Sequence, residues 1–92
     1  MLKITRVTAL DQEVILRMDG RVTGPWVELL RTSAESVVEE GVRLTLDLEN
    51  VYYLDYEGVG LIKNLMNRGT RLKNVPPIVG EQIRKCQAEQ GD

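Results

Sequence analysis

The chain has 92 residues, a net charge of −2 and 28% charged residues, which predicts one soluble cytoplasmic domain over residues 1–92 with a single core. It contains no histidine and only one cysteine, which excludes an internal disulfide and a cysteine-based zinc site and removes the usual general base. The acidic balance and the short apolar runs argue against nucleic acid as a partner and against membrane insertion. We therefore expect no enzyme, cofactor or metal site.

The first two elements are predicted to be strands. Residues 2–9 alternate weakly, and residues 13–19 alternate clearly, with a hairpin turn predicted at Asp11 and Gln12. The apolar residues on one face of the second strand are Val14, Leu16 and Met18. The two strands are expected to pair antiparallel.

An amphipathic helix is predicted after the loop at residues 20–24. Thr23 is placed to cap it, Pro25 suits its first turn, and Gly41 suits its C-terminal end. The residues that recur at three- and four-residue spacing on its apolar face are Trp26, Leu29, Leu30, Ala34, Val37 and Val38.

Residues 43–49 alternate strictly and predict a third strand. Its leucines are expected to point inward, whereas Thr45 and Asp47 point outward, so that one face is wet. A helix over 56–68 follows and ends at Gly69. Its expected buried residues are Val59, Ile62, Leu65 and Met66.

The last elements are a short strand over 70–75, with Leu72 in the core, and a helix that starts at Pro76 and Pro77. The core-facing residues of this helix are expected to be Val79, Ile83 and Cys86. Residues 91–92 are expected to fray. The order β-β-α-β-α-β-α predicts an α/β (α+β-like) fold, in which a mixed four-stranded sheet carries its helices mainly on one face.

The turn between the third strand and the second predicted helix reads Leu-Asp-Tyr-Glu-Gly-Val-Gly. Asp55 is placed as an N-cap whose carboxylate accepts from the backbone N–H of Glu57 or Gly58, and Glu57 is favoured by the helix dipole. Gly58 and Gly60 would let backbone elsewhere approach the helix start. One interpretation is that these two acids and two glycines simply make a good helix start.

Three functional interpretations of this turn compete with that one. A phosphate cradle is disfavoured because two carboxylates repel phosphate, and an acid pair for glycoside hydrolysis is disfavoured because the cap keeps both acids ionised. The third is a recognition surface, in which Tyr56 and residues 57 and 60 point outward. Packing of Tyr56 against its own helix is the alternative. Of Tyr52 and Tyr53, one is expected to be buried and the other exposed.

The segments EVILRMDGRV and LDLENVYYLDYEGVGLIKNL, together with the helix between them, resemble the STAS domain family. The resemblance spans about residues 10–80, with Asp55, Gly58 and Gly60 on the family's Asp-Ser-Ser-Gly-Leu-Gly turn. Stand-alone bacterial members are anti-sigma factor antagonists, which act in signal transduction and transcription regulation.

The resemblance implies a protein partner, namely a kinase-like anti-sigma factor or a similar signalling protein, and allows a homodimer. The partner-binding residues that it implies are Asp55, Tyr56, Glu57, Gly58, Gly60, Arg21 and Thr23. The Ser or Thr that the kinase phosphorylates in other members corresponds to Tyr56, which is followed by Glu57. We therefore expect no Ser/Thr phosphorylation switch in this turn, with Thr23 as a second candidate acceptor.

Two other functions remain open on the same resemblance. One is a structural or oligomeric scaffold subunit of a signalling or transport assembly. The other is a STAS-like module that binds a small ligand or a nucleotide.

Overall fold

The computed structural model describes residues 1–9 and 12–90, with side chains as far as residue 85. Its elements are β1 (Leu2–Ala9), β2 (Glu13–Val22), α1 (Pro25–Glu39), β3 (Arg43–Leu54), α2 (Tyr56–Asn67), β4 (Arg71–Lys73) and α3 (Pro77–Gln90). The predicted element order is confirmed. The predictions for Asp11, the side chain of Cys86 and the tail at 91–92 lie outside the described residues.

The sheet is mixed, as predicted, with strand order β1-β2-β3-β4. β1 pairs antiparallel with β2, whereas β2 with β3 and β3 with β4 are parallel. The two parallel connections run through α1 and α2 and step across the sheet in the same direction. Because such crossovers are right-handed, both helices lie on the same face.

The core between this face and the helices is aliphatic. Its largest fully buried side chains are Leu16, Met18, Leu30, Leu46, Leu48, Leu54, Ile62 and Leu65. Each contributes about 1.5–3 kcal/mol through burial. The predicted inward residues of β2 are confirmed, and Val79 and Ile83 of α3 are buried as expected.

β3 is longer than predicted, and its outward residues are not wet. Thr45 is 6% and Asp47 is 3% exposed, because β3 is an inner strand with neighbouring side chains on both sides. The Asp47 carboxylate accepts from the backbone N–H of Glu49 at 3.1 Å and from Asn74 Nδ2 at 3.3 Å. The prediction of a half-wet strand is therefore wrong at these two positions.

Two bulges interrupt the pairing of β3 with β2 and change which residues face the core. Each bulge adds one residue to β3, so the inward positions after Leu48 fall at Val51 and Leu54, three residues apart. Tyr52 and Tyr53 are consequently 60% and 46% exposed. The prediction that one of them is buried is wrong.

α1 starts differently from the prediction. Its N-cap is Gly24, at φ 53°, with no side-chain capping bond. Thr23 contributes its carbonyl instead, which accepts from the backbone N–H of Trp26 at 3.0 Å. Thr23 is therefore not the cap, because the chain turns through the left-handed region one residue later.

The predicted buried faces of α1 and α2 are correct along their centre lines and wrong along their edges. Leu29 is 41% and Met66 is 43% exposed, whereas Val27 and Leu61 are buried instead. Leu72 of the short β4 is only half-buried. The burial of these side chains depends on how far the neighbouring element extends, which the residue type alone does not indicate.

An ion pair links α1 to the end of α2. Arg68 donates to both carboxylate oxygens of Glu35, at 2.8 Å and 3.0 Å. This hydrogen bonding holds the pKa of Glu35 below its ordinary value of 4.5. Because the folded pKa is the lower one, the pair stabilises the fold above pH 4.5 and loses its effect as the pH falls through the folded pKa.

Replacing Arg68 should therefore release the carboxylate. In Arg68→Gln, we expect the pKa of Glu35 to rise toward 4.5, measured by NMR titration of the side-chain carboxyl. Arg31→Gln is the control, because Arg31 acts on Glu35 only through weaker, longer-range attraction. An equal rise in both variants would contradict the assignment to the Arg68 hydrogen bonds.

Candidate functional site

A single residue, Asp55, connects the end of β3 to the start of α2. Its backbone is extended, with φ −86° and ψ −177°, and its Oδ1 accepts from the backbone N–H of Gly58 at 2.7 Å. The predicted N-cap is confirmed. The bond satisfies one of the N–H groups that every helix start leaves free.

The second carboxylate oxygen of Asp55 holds the loop between β2 and α1. Oδ2 accepts from the backbone N–H of Gly24 at 2.9 Å. The backbone N–H of Asp55 donates to the carbonyl of Val22 at 3.2 Å. One side chain therefore caps α2 and fixes the entry to α1. The sequence does not predict this arrangement, because Gly24 lies 31 positions away.

The two glycines of the turn differ in their surroundings. A Cβ on Gly58 would lie 2.5 Å from the carbonyl oxygen of Val22, whereas a Cβ on Gly60 would have nothing within 4 Å. The expected close approach of backbone is therefore confirmed at Gly58 and wrong at Gly60. Only Gly58 is required by the packing of the fold.

α3 is fastened to the same corner through Gln82. Its amide donates to the carbonyl of Leu54 at 2.9 Å and accepts from the backbone N–H of Leu54 at 3.1 Å. The side chain thus pairs with the last residue of β3 much as a neighbouring strand would. No signal in the sequence marked Gln82 for this role.

The outward side of the helix start is open, as predicted. Tyr56 is 73% exposed, which argues against its packing on its own helix, and Glu57 and Gly60 are exposed as well. Toward α3 lies a shallow depression of about 280 Å³. Its lining includes Tyr53, Tyr56, Val59, Gln82 and Lys85.

A second shallow groove, of about 330 Å³, lies on the other side of α2, against α1. Its lining residues are Glu28, Arg31, Glu57, Gly60, Leu61 and Asn64. Gly60 forms part of its floor without a side chain. The first turns of α2 lie between these two grooves.

Arg21 and Thr23 are placed differently from each other. Thr23 is half-buried in the loop between Val22 and Gly24, both of which bond to Asp55. Arg21 is exposed on β2 and is the register partner of Tyr53. The structure thus brings Thr23 toward the cap and sets Arg21 beside the tyrosines.

The acid at the centre of this site is already engaged by the backbone. Both oxygens of Asp55 already accept backbone N–H groups, so the carboxylate has a structural task. Among the described residues, no three His, Cys, Asp or Glu side chains lie where they could hold a metal ion. No described helix is both long enough and apolar enough to cross a membrane.

Comparison with known proteins identifies relatives of this chain. The STAS domain family model matches residues 4–90. An unphosphorylated anti-sigma factor antagonist, SpoIIAA, is similar with a TM-score of 0.72 at 21% identity, over 89% of this chain and 82% of that one. No curated protein matches the sequence significantly.

Two further solved structures share the fold. The STAS domain of an anti-sigma factor antagonist from Rhodobacter sphaeroides has a TM-score of 0.58 at 17% identity, over 79% of this chain and 86% of that one. A DUF3478 protein from Shewanella loihica with a SpoIIAA-like fold has a TM-score of 0.54 at 14% identity, over 77% and 64%.

The double role of Asp55 predicts a graded loss of stability. Asp55→Ala removes both bonds, so we expect the free energy of unfolding to fall by about 1–3 kcal/mol. Asp55→Asn keeps an acceptor for Gly58 but turns an amide N–H toward Gly24, so its loss should be intermediate. Urea unfolding measures both.

Glu49→Gln is the matched control, because Glu49 is exposed and the change also removes one negative charge. We expect it to alter the free energy of unfolding by less than about 0.5 kcal/mol. A loss-free Asp55→Asn would show that the bond to Gly24 contributes nothing separate, and an equal loss in Asp55→Asn and Asp55→Ala would show the same of the bond to Gly58.

Proposed function

Because the chain belongs to the STAS domain family, we propose that it is a non-enzymatic protein-interaction module of the anti-sigma factor antagonist kind. Its partner is a kinase-like anti-sigma factor or a similar cytoplasmic signalling protein, bound through the start of α2. The names of two structural neighbours, both anti-sigma factor antagonists, support this class. The observation that supports this proposal most directly is the exposed backbone at Gly60, where the fold itself leaves room for a side chain.

Gly60 is unfavourable for the helix that contains it. A glycine in a helix interior costs about 0.5–1 kcal/mol relative to alanine. Here an alanine would have room, since nothing lies within 4 Å of the added Cβ, and the φ of Gly60 is not in the left-handed region. The chain itself gains nothing from this glycine, so we attribute it to the close approach of a partner.

The residues around Gly60 suit such an approach. Tyr56 lies one helical turn before Gly60, on the same side of α2, and offers a large, rigid contact area that is 73% exposed. Glu57 adds a carboxylate with no ion pair to any described side chain. A partner with a basic side chain opposite Glu57 would complement this surface.

The surface lacks the usual means of regulation. No hydroxyl of serine or threonine stands between Asp55 and Gly58. Phosphorylation would add a charge of about −1.5 to −2 at a helix start, whereas Glu57 supplies a fixed charge there. We therefore propose that binding occurs without a Ser/Thr phosphorylation switch.

Substitution of Gly60 separates binding from folding. In Gly60→Ala, the free energy of unfolding should rise by about 0.5–1 kcal/mol, while affinity for the cognate anti-sigma factor falls at least about tenfold because the methyl group blocks close contact. Calorimetric titration and urea unfolding measure the two effects. Binding at the wild-type affinity would contradict the proposal.

Two control variants bracket this experiment. Gly58→Ala should lower stability, because its Cβ would meet the Val22 carbonyl oxygen at 2.5 Å. Asn67→Ala, at the exposed far end of α2, should leave the affinity unchanged.

The missing switch can be tested with the kinase itself. After incubation with a cognate anti-sigma kinase and ATP, we expect no phosphate on Tyr56 or Thr23 by mass spectrometry. Tyr56→Ser and Glu57→Ser each install a hydroxyl in the turn and serve as positive controls. Stoichiometric phosphate on the wild-type chain would contradict the proposal.

A further inference from the structure

The face of the sheet opposite α1 and α2 is open. Strand alternation places Lys3, Thr5 and Val7 of β1 on this side, and all three are exposed. Six exposed cations share this side of the sheet. Arg21 lies at one end, beside Tyr53, and we call the surface around the other five the basic face. These five are Lys3, Arg17, Arg43, Arg71 and Lys73.

Three of the four acids on the same face are recessed, and the fourth, Glu49, is exposed. Asp47 is 3% exposed and accepts hydrogen bonds from Glu49 and Asn74. It also forms an ion pair with Arg17, whose Nε lies 3.8 Å from its Oδ2. Glu13 is half-buried and accepts from the Thr45 hydroxyl at 2.6 Å, and Asp19 is half-buried too. Five exposed cations against one exposed acid leave the exposed charge of the face positive, although the chain carries a net charge of −2.

These cations also differ from those on the helix side of the molecule. There, the arginines are paired with glutamates, in Arg6–Glu40, Arg31–Glu28, Arg68–Glu35 and Arg84–Glu81. Lys3, Arg71 and Lys73 form no ion pair with any described side chain. Unneutralised positive charge thus collects on the open sheet.

The cations have a regular spacing set by the strands. Arg71 and Lys73 lie two residues apart on β4, about 6.8 Å along the strand. Arg17 and Lys73 flank Asp47 from the two neighbouring strands, about 9.6 Å apart across the sheet. In an extended chain with a carboxylate at every second residue, successive carboxylates are also about 6.8 Å apart.

Other polyanions fit this face less well. None of the residues paired in register with these five cations is aromatic, so a nucleic-acid base would find no ring to stack on there. The exposed tyrosines of the sheet, Tyr52 and Tyr53, lie at the far end of β3. The apolar residues at its centre are only Val7 and Ile15, and Ile15 is half-buried, so the face offers a bilayer little apolar area in which to anchor. A second copy is a poor complement because the acids of its helix side are largely paired already.

We propose that the basic face binds an extended acidic segment of a partner protein, with Asp or Glu at alternate positions. The site is independent of the contact at the start of α2, since none of its five cations lies in the turn at 55–60. The module can then hold two partners at once, one at the helix start and one on the sheet.

The test uses a fluorescein-labelled twelve-residue peptide of alternating Glu and Thr, with its Gln-for-Glu counterpart as the neutral probe. We expect anisotropy at 0.15 M salt to show binding of the acidic peptide only. The affinity should fall at least fivefold in Arg71→Gln/Lys73→Gln. It should be unchanged in Arg84→Gln/Lys85→Gln, which removes two positive charges from α3.

Several results would overturn the proposal: no binding of the acidic peptide, equal binding of the neutral one, or an equal loss in both double variants. Tighter binding of phosphatidylglycerol vesicles or of a poly-uridine twelve-mer would assign the face to lipid or to nucleic acid. If the double variant unfolds at a lower temperature than the wild type, Arg71→Gln alone replaces it. Arg71 is paired in register with Thr45, so its removal does not leave the carboxylate of Asp47 without a neighbouring cation. Gly60→Ala should bind the peptide normally, which separates this site from the one on α2.

Discussion

The arrangement of the whole sheet edge depends on the carboxylate of Asp55. One oxygen caps α2 and the other holds the loop that enters α1, so two helices that follow different strands are fixed by the same side chain. Gln82 adds α3 through both backbone groups of Leu54, immediately before the acid. Because four segments meet here through hydrogen bonds, the first turn of α2 is presented in one fixed position. A rigid surface loses little conformational entropy on binding, and that property suits a contact site.

The distribution of charge divides the molecule into two sides. On the helix side, arginines and glutamates neutralise each other within helices and between elements, as Arg68 and Glu35 do between α1 and α2. On the sheet side, the carboxylates of Glu13 and Asp47 are recessed and hydrogen-bonded, whereas the cations stay exposed. Exposed ion pairs contribute little stability, so this division matters more for recognition than for folding. Two surfaces of different chemistry on opposite sides also favour a role in which the module joins two proteins, which is the form that the scaffold interpretation takes here.

The sequence predicted those features that depend on local periodicity. The strand–helix order, the inward residues of β2 and the cap at Asp55 all follow from spacing within one element. The failures arose where distant segments act on each other. A bulge exists only relative to a partner strand, so nothing local to Tyr52 and Tyr53 indicated that both would be exposed. Likewise, the bond from Gly24 to Asp55 spans 31 positions, and the exposure of Leu29 and Met66 depends on where the neighbouring element ends.

Gly58 and Gly60 show why the site needed the structure. In the sequence they are equivalent, two glycines in a helix start that match one family motif. In the fold, Gly58 is required because the carbonyl of Val22 occupies the place of its Cβ, whereas the space beside Gly60 is empty. A residue that the fold requires carries no information about partners, because any sequence with this fold would need it. A residue that weakens its own helix without a structural reason points instead to a partner, and this is the ground on which we propose Gly60 as the point of contact.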